Sequence, residues 1–107
     1  MTDWPWQPAA SLAVLRERAG MLARVRAWFA REGLLEVQTP VLSHAAVSDP
    51  ALESIRAQPA SGPPLFLHTS PEYAMKRLLA AGVGDCWQVG PVFRDGESGR
   101  LHNPEFT

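Results

Sequence analysis

The 107 residues give room for one domain with a thin core. With 46% hydrophobic and 20% charged residues, the composition is that of a globular protein and excludes a disordered or low-complexity chain. A formal charge of −1 gives no reason to expect the basic face that nucleic acid requires, and no apolar run reaches membrane-spanning length.

The first ten residues, rich in tryptophan and proline, read as an irregular lead-in in which Trp4 and Trp6 are expected to pack as anchors. They lack the basic region and apolar run of a signal peptide. The single cysteine, Cys86, excludes an internal disulfide and implies a reducing compartment, so a cytoplasmic location is expected.

From Ser11 to about Glu32, Leu12, Leu15, Ala19, Leu22, Val25 and Phe29 recur at three- and four-residue steps, the signature of an amphipathic helix. Ser11 is its expected N-cap and Gly33 its stop. The next stretch, Leu34 to Leu42, alternates Leu35, Val37 and Thr39 against Glu36 and Gln38. That predicts a half-buried strand ended by Pro40. Residues 43–64 are loop-rich, with Pro50, Pro59, Gly62, Pro63 and Pro64, and a short strand is expected near Leu52–Ile55.

Leu65–His68 predicts a short strand, and Ser70-Pro71-Glu72 then opens a second helix with Ser70 as cap and Pro71 at the first helical position. Its apolar set, Tyr73, Met75, Leu78 and Leu79, runs to a stop at Gly82. Trp87–Phe93 predicts a further strand. Val92-Phe93 and Leu101-His102 are then the expected arms of a hairpin whose loop holds Asp95-Gly96 and Ser98-Gly99. This order is not the regular alternation of a parallel α/β fold. It predicts an α+β domain, helices on a largely antiparallel sheet.

Several constellations carry no chemistry. His44, His68, His102 and Cys86 lack zinc-ligand spacing, so no metal site is expected among them. Gly82-Val83-Gly84 lies at a helix end before a strand, the reverse of a dinucleotide fingerprint, and reads as a turn. Two stretches carry more. Glu72 stands in a first helical turn, where a carboxylate can receive a ligand's ammonium, although acidic residues are common there as helix chemistry alone. Arg94, Asn103 and Phe106 offer a guanidinium fork, a donor–acceptor amide and an aromatic plate. Those are the three groups an adenine nucleotide needs for phosphate, edge and stacking.

Taken in order, these stretches resemble the catalytic core of class II aminoacyl-tRNA synthetases. Gly33-Leu-Leu-Glu-Val-Gln-Thr-Pro-Val-Leu42 after a long helix is similar to motif 1, and Phe93-Arg94 with Asn103-Pro-Glu-Phe106 to motif 2. The run His102 to Thr107 resembles the lysyl branch. Within that branch the chain resembles the elongation factor P (R)-β-lysine ligase family, paralogues of lysyl-tRNA synthetase. The features that carry this are the Trp-Gln-Pro lead-in, Thr39-Pro40, Ser48-Asp49-Pro50, His68-Thr-Ser-Pro-Glu-Tyr-Ala-Met-Lys-Arg-Leu-Leu79 and Gly99 to Thr107.

The resemblance implies a synthetase-like antiparallel sheet flanked by helices. It implies activation of (R)-β-lysine, or lysine, with ATP and transfer to a lysine of elongation factor P, with no tRNA and no membrane. Ser70, Pro71 and Glu72 would contact the amino-acid substrate. Arg94 would be catalytic at the α-phosphate, Asp95 and Gly96 would line the ATP site, Asn103 would meet the nucleotide and Phe106 would stack on adenine. Magnesium is expected without ligands in this chain, and motif 1 implies a homodimer.

The family's motif 3 has no counterpart between residues 1 and 107, so the sheet is expected to be incomplete and the stretch alone inactive. The family usually carries glutamate two residues after the motif 2 arginine. Here that position is Gly96, so either Glu97 reaches in from the loop or backbone groups substitute. Two other readings stand beside this one. The chain could be part of a true lysyl-tRNA synthetase, against which stands the short segment before the first helix. It could also be a non-catalytic dimerisation or binding module.

Overall fold

The computed structural model describes residues 5–49, 52–96 and 99–107; Trp4, Pro50, Glu97 and Ser98 lie outside them. Two compact units emerge, Met1–Leu34 and Leu35–Thr107.

The first unit is dominated by helix α1, Leu12–Arg31. Ser11 caps it as expected, its Oγ accepting from the Val14 N–H at 3.2 Å. At the other end Gly33 N–H donates to Ala30 O at 3.1 Å and Leu34 N–H to Phe29 O at 3.0 Å. This paired closure requires a left-handed residue, which Gly33 supplies with φ +78°. None of the helix residues is buried; Leu12 and Leu15 are exposed, while Leu22, Val25 and Phe29 are half-buried. Trp6, expected to be an anchor, is instead 85% exposed, because no described residue covers it.

Among the described residues, the second unit holds one helix and seven short strands. The predicted strand after α1 is split. Leu35–Glu36 (β1) pairs in parallel with Cys86–Trp87 (β5), and Leu42–Ser43 (β2) joins a different sheet. Pro40, which has no N–H to donate, lies between the two pieces. Gln88 secures the crossing: its Oε1 accepts from Thr39 N–H at 3.1 Å and from Thr39 Oγ1 at 3.0 Å.

β2, Arg56–Ala57 (β3) and Leu65–Leu67 (β4) form an antiparallel sheet in the order β2-β4-β3. The strand expected at Leu52–Ile55 therefore lies slightly later in the chain, where Arg56 faces Phe66 and sets its guanidinium 5.7 Å from the ring centroid. An arginine directly opposite an aromatic ring gains a cation–π contact, one force favouring the later register.

Helix α2, Glu72–Ala80, follows β4. Pro71 occupies the capping position rather than the first helical one, and Ser70 Oγ accepts from Glu72 N–H at 3.2 Å. The helix closes as α1 does, with Val83 N–H donating to Leu78 O at 3.2 Å and Gly82 N–H to Leu79 O at 3.0 Å. Tyr73 Oη and Ser48 Oγ are 3.0 Å apart, tying α2 to the Ser48-Asp49 loop.

The single strand predicted over Trp87–Phe93 is broken into β5 and Val92–Phe93 (β6), with Gly90-Pro91 between them. Trp87 and Val92 are the buried hydrophobic residues among those described, and Thr69 is buried with them. The architecture is α+β, antiparallel except for the β1–β5 pair.

Candidate nucleotide and amino-acid site

The hairpin that carries most of the candidate residues pairs in a register the sequence did not suggest. β6 faces Glu105–Phe106 (β7), with Val92 opposite Phe106 and Phe93 opposite Glu105. The expected return arm, Leu101-His102, lies in the loop, where His102 bridges Gly99. Two features favour the later register. It sets the apolar pair Val92 and Phe106 face to face. It also places Pro104 at the end of the ladder, where only its carbonyl is needed: Arg94 N–H donates to Pro104 O at 2.9 Å.

This register builds the site. Side chains two apart on a strand share a face, so Arg94 projects on the same side as Val92 and diagonally toward Phe106. The Arg94 Cζ lies 5.2 Å from the Phe106 ring centroid. Arg94, Leu101, His102, Asn103 and Phe106 together line a cleft of about 320 Å³. Arg94 Nε is buried there without a hydrogen-bond partner among the described residues. The ring face lies against the guanidinium and the backbone bond fixes the residue that carries it, an arrangement that suits an anionic oxygen. Leu101 and His102 were missed as lining residues because the register that releases them into the loop is a tertiary choice.

Asp95 and Gly96 are not among the lining residues. Asp95 N–H donates to Glu53 O at 2.9 Å, and Asp95 Oδ1 accepts from Gly96 N–H at 2.9 Å. Gly96 has φ +74°, a conformation a glutamate would rarely adopt, so the loop here follows a path that glycine permits. Its N–H is already engaged by Asp95, and Glu97 lies outside the described residues.

Ser70, Pro71 and Glu72 form a separate turn at the start of α2 and do not line that cleft. Glu72 is exposed, and its Oε1 lies 2.9 Å from Lys76 Nζ, one helical turn on. The hydrogen bond from Lys76 to the Glu72 carboxylate, and then its charge, raise the lysine above its ordinary 10.5. The carboxylate proposed to receive an ammonium thus already holds one. That pair was legible from its spacing alone. The turn and the arginine strand are neighbours, since Phe93 N–H donates to His68 O at 3.0 Å, two residues before Ser70.

Among the described residues, no group of three or more His, Cys, Asp or Glu side chains could hold a metal ion. Cys86 is a half-buried free thiol. No helix among the described residues is long and apolar enough to cross a membrane.

Residues 6–107 match the family model described as tRNA synthetases class II (D, K and N). The chain belongs to this class II synthetase family. It is 48% identical over 112 residues to the elongation factor P–(R)-β-lysine ligase of Vibrio cholerae, covering 100% of this chain and 35% of the relative. The ligases of the same name from Photorhabdus laumondii and Yersinia enterocolitica are each 50% identical over 107 residues, covering 95% of this chain and 33% of the relative. The chain therefore spans about a third of the length of the relatives it matches. Within this class II family, it is homologous to proteins named elongation factor P–(R)-β-lysine ligase.

Proposed function

We propose that this chain supplies part of the active site of an ATP-dependent ligase that activates (R)-β-lysine and transfers it to a lysine of elongation factor P. The observation that carries the reading is the convergence of Arg94, Asn103 and Phe106 on one cleft in a chain of the class II synthetase family. In the first step the substrate carboxylate attacks the α-phosphorus of ATP. The bond to the bridging oxygen breaks and pyrophosphate leaves. Charge builds on the α-phosphate oxygens, and the preplaced Arg94 guanidinium stabilises it electrostatically. Phe106 offers its ring to adenine and Asn103 its amide to the nucleotide, with Asp95 and Gly96 shaping the adjoining loop. Glu72, with Ser70 and Pro71, receives the substrate's ammonium. In the second step the acceptor amine attacks the acyl carbon, AMP leaves and the amine loses its proton.

Magnesium is expected to accompany the nucleotide, and none of these roles depends on it. A homodimer through residues 33–42 accords with the exposure of Leu35 and Leu42, and a cytoplasmic setting with the free cysteine. The decisive experiment is ATP–pyrophosphate exchange by the natural protein with (R)-β-lysine and with lysine, followed by label transfer to elongation factor P or to tRNA. Exchange driven by (R)-β-lysine and transfer to elongation factor P are expected. Because the family model spans tRNA synthetases, transfer to tRNA alone would establish a lysyl-tRNA synthetase instead. The 107 residues by themselves are expected to support no exchange.

A further inference from the structure

His68 belongs to neither half of the proposed site, yet three hydrogen bonds converge on it. Its N–H donates to Val41 O at 2.9 Å, and its carbonyl accepts from Phe93 N–H at 3.0 Å. Its ring Nε2 lies 2.7 Å from Pro91 O. A carbonyl oxygen only accepts, so Nε2 carries the proton in this bond, while Nδ1 is buried without a hydrogen-bond partner among the described residues.

Any residue but proline could form the two backbone bonds. The ring bond needs a donor at that reach, and it falls at the break between β5 and β6, where Pro91 has no N–H to donate. Arg94 follows Pro91 by three residues and Ser70 follows His68 by two. The ring therefore joins the root of the arginine strand to the root of the amino-acid turn.

We infer that His68 is a positioning residue: its Nε2–H···O=C bond to Pro91 sets the spacing between Arg94 and the Ser70–Glu72 turn, and so between the phosphate and ammonium ends of the reacting pair. This rests on the adenylate-forming reading above. Adenylate formation needs the carboxylate in line with the α-phosphorus, and a displacement of about 1 Å can cost about a hundredfold in rate.

The test compares His68→Leu with His68→Gln in the natural protein at the length its cell produces. Both lose the ring contact with Phe93, whose centroid lies 6.5 Å away, but glutamine keeps an N–H at a similar reach. In ATP–pyrophosphate exchange, His68→Leu is expected to lower kcat roughly ten- to a hundredfold. The KM for each substrate should change little, and His68→Gln should recover most of the rate. Equal rates in the two variants, at comparable thermal stability, would overturn the inference.

Long-range ¹H–¹⁵N spectra of the wild-type imidazole give a readout independent of activity. A protonated Nε2 is expected; an unprotonated Nε2 refutes the bond. The Arg94 Nε resonance should move in His68→Leu and stay in His68→Gln, and an unmoved resonance in both also refutes the coupling. Absence of exchange in the wild type would sink the adenylate reading alone, leaving the spectra to decide whether His68 holds Arg94 in place.

Discussion

The two halves of the proposed site are built differently. The amino-acid half, Ser70 to Glu72, is one contiguous turn at a helix start, shaped by Pro71 at the capping position and by Ser70 Oγ, which accepts from Glu72 N–H. The nucleotide half gathers Arg94, Asn103 and Phe106 across a hairpin, and its geometry depends on which residues pair. Each half already engages a cation of the chain itself: Lys76 sits on Glu72, and Arg94 lies over Phe106. The difference is strength. The lysine pair is exposed and weak, whereas the arginine is anchored by its backbone, by the ring and by partial burial. The first half should behave as a local, replaceable contact. The second should behave as a preorganised unit.

The largest effect should come from breaking the preorganised half. Arg94→Ala is expected to lower the kcat of ATP–pyrophosphate exchange by about 100- to 1000-fold, as loss of a transition-state donor does. Lysine at position 94 should restore little, because it cannot reproduce the fork. A change in the KM for ATP with kcat intact would show that Arg94 only binds.

Next, Glu72→Gln should raise the KM for the amino-acid substrate by about 10- to 100-fold, the scale of a lost charge-assisted hydrogen bond. The KM for ATP should hold. If both rise together, the halves are not separate and the comparison fails. Phe106→Leu removes the stacking plate and should raise the KM for ATP about three- to tenfold. The same change frees the Arg94 guanidinium, so a fall in kcat beyond that range would measure how much of the arginine's placement comes from the ring.

The smallest effect belongs to Lys76. Lys76→Met removes the ammonium that competes for Glu72, so the KM for the amino-acid substrate should fall by no more than about twofold, as befits an exposed pair. The lysine is raised above its ordinary 10.5 by Glu72. The lysine therefore keeps its charge throughout the range below 10.5 and loses it, and the pairing with it, only as pH rises through the raised value. Wild type and Lys76→Met should converge in substrate binding above that range; curves that stay apart would show that Lys76 acts otherwise.

The same contrast explains which features could be read in advance. Helix α1 and its Ser11 cap, the glycine closures at Gly33 and Gly82, and a helix opening at Ser70-Pro71-Glu72 were legible, because each rests on contacts within a few residues; the cap of that second helix shifted from Ser70 to Pro71. Arg94, Asn103 and Phe106 could be named as candidates through residue chemistry and the motif 2 resemblance, and they line one cleft. The strands were not legible. Leu34–Leu42 reads as one strand but serves two sheets, and Trp87–Phe93 is divided at Gly90-Pro91. A proline marks each break, but which partner takes each piece depends on distant residues such as Cys86 and Leu67.

By itself, the sequence determined the helices, most of their ends and the α+β class, since helix periodicity and capping act over one or two turns, and it supplied the residues proposed for a nucleotide and an ammonium. Tertiary structure decided the pairing of Val92 with Phe106 instead of a return through Leu101-His102. That register laid Arg94 over the ring and opened the loop residues into the cleft. Strand register is settled by cross-strand contacts between residues far apart in the chain, and alternation along a strand is the same whichever partner it meets.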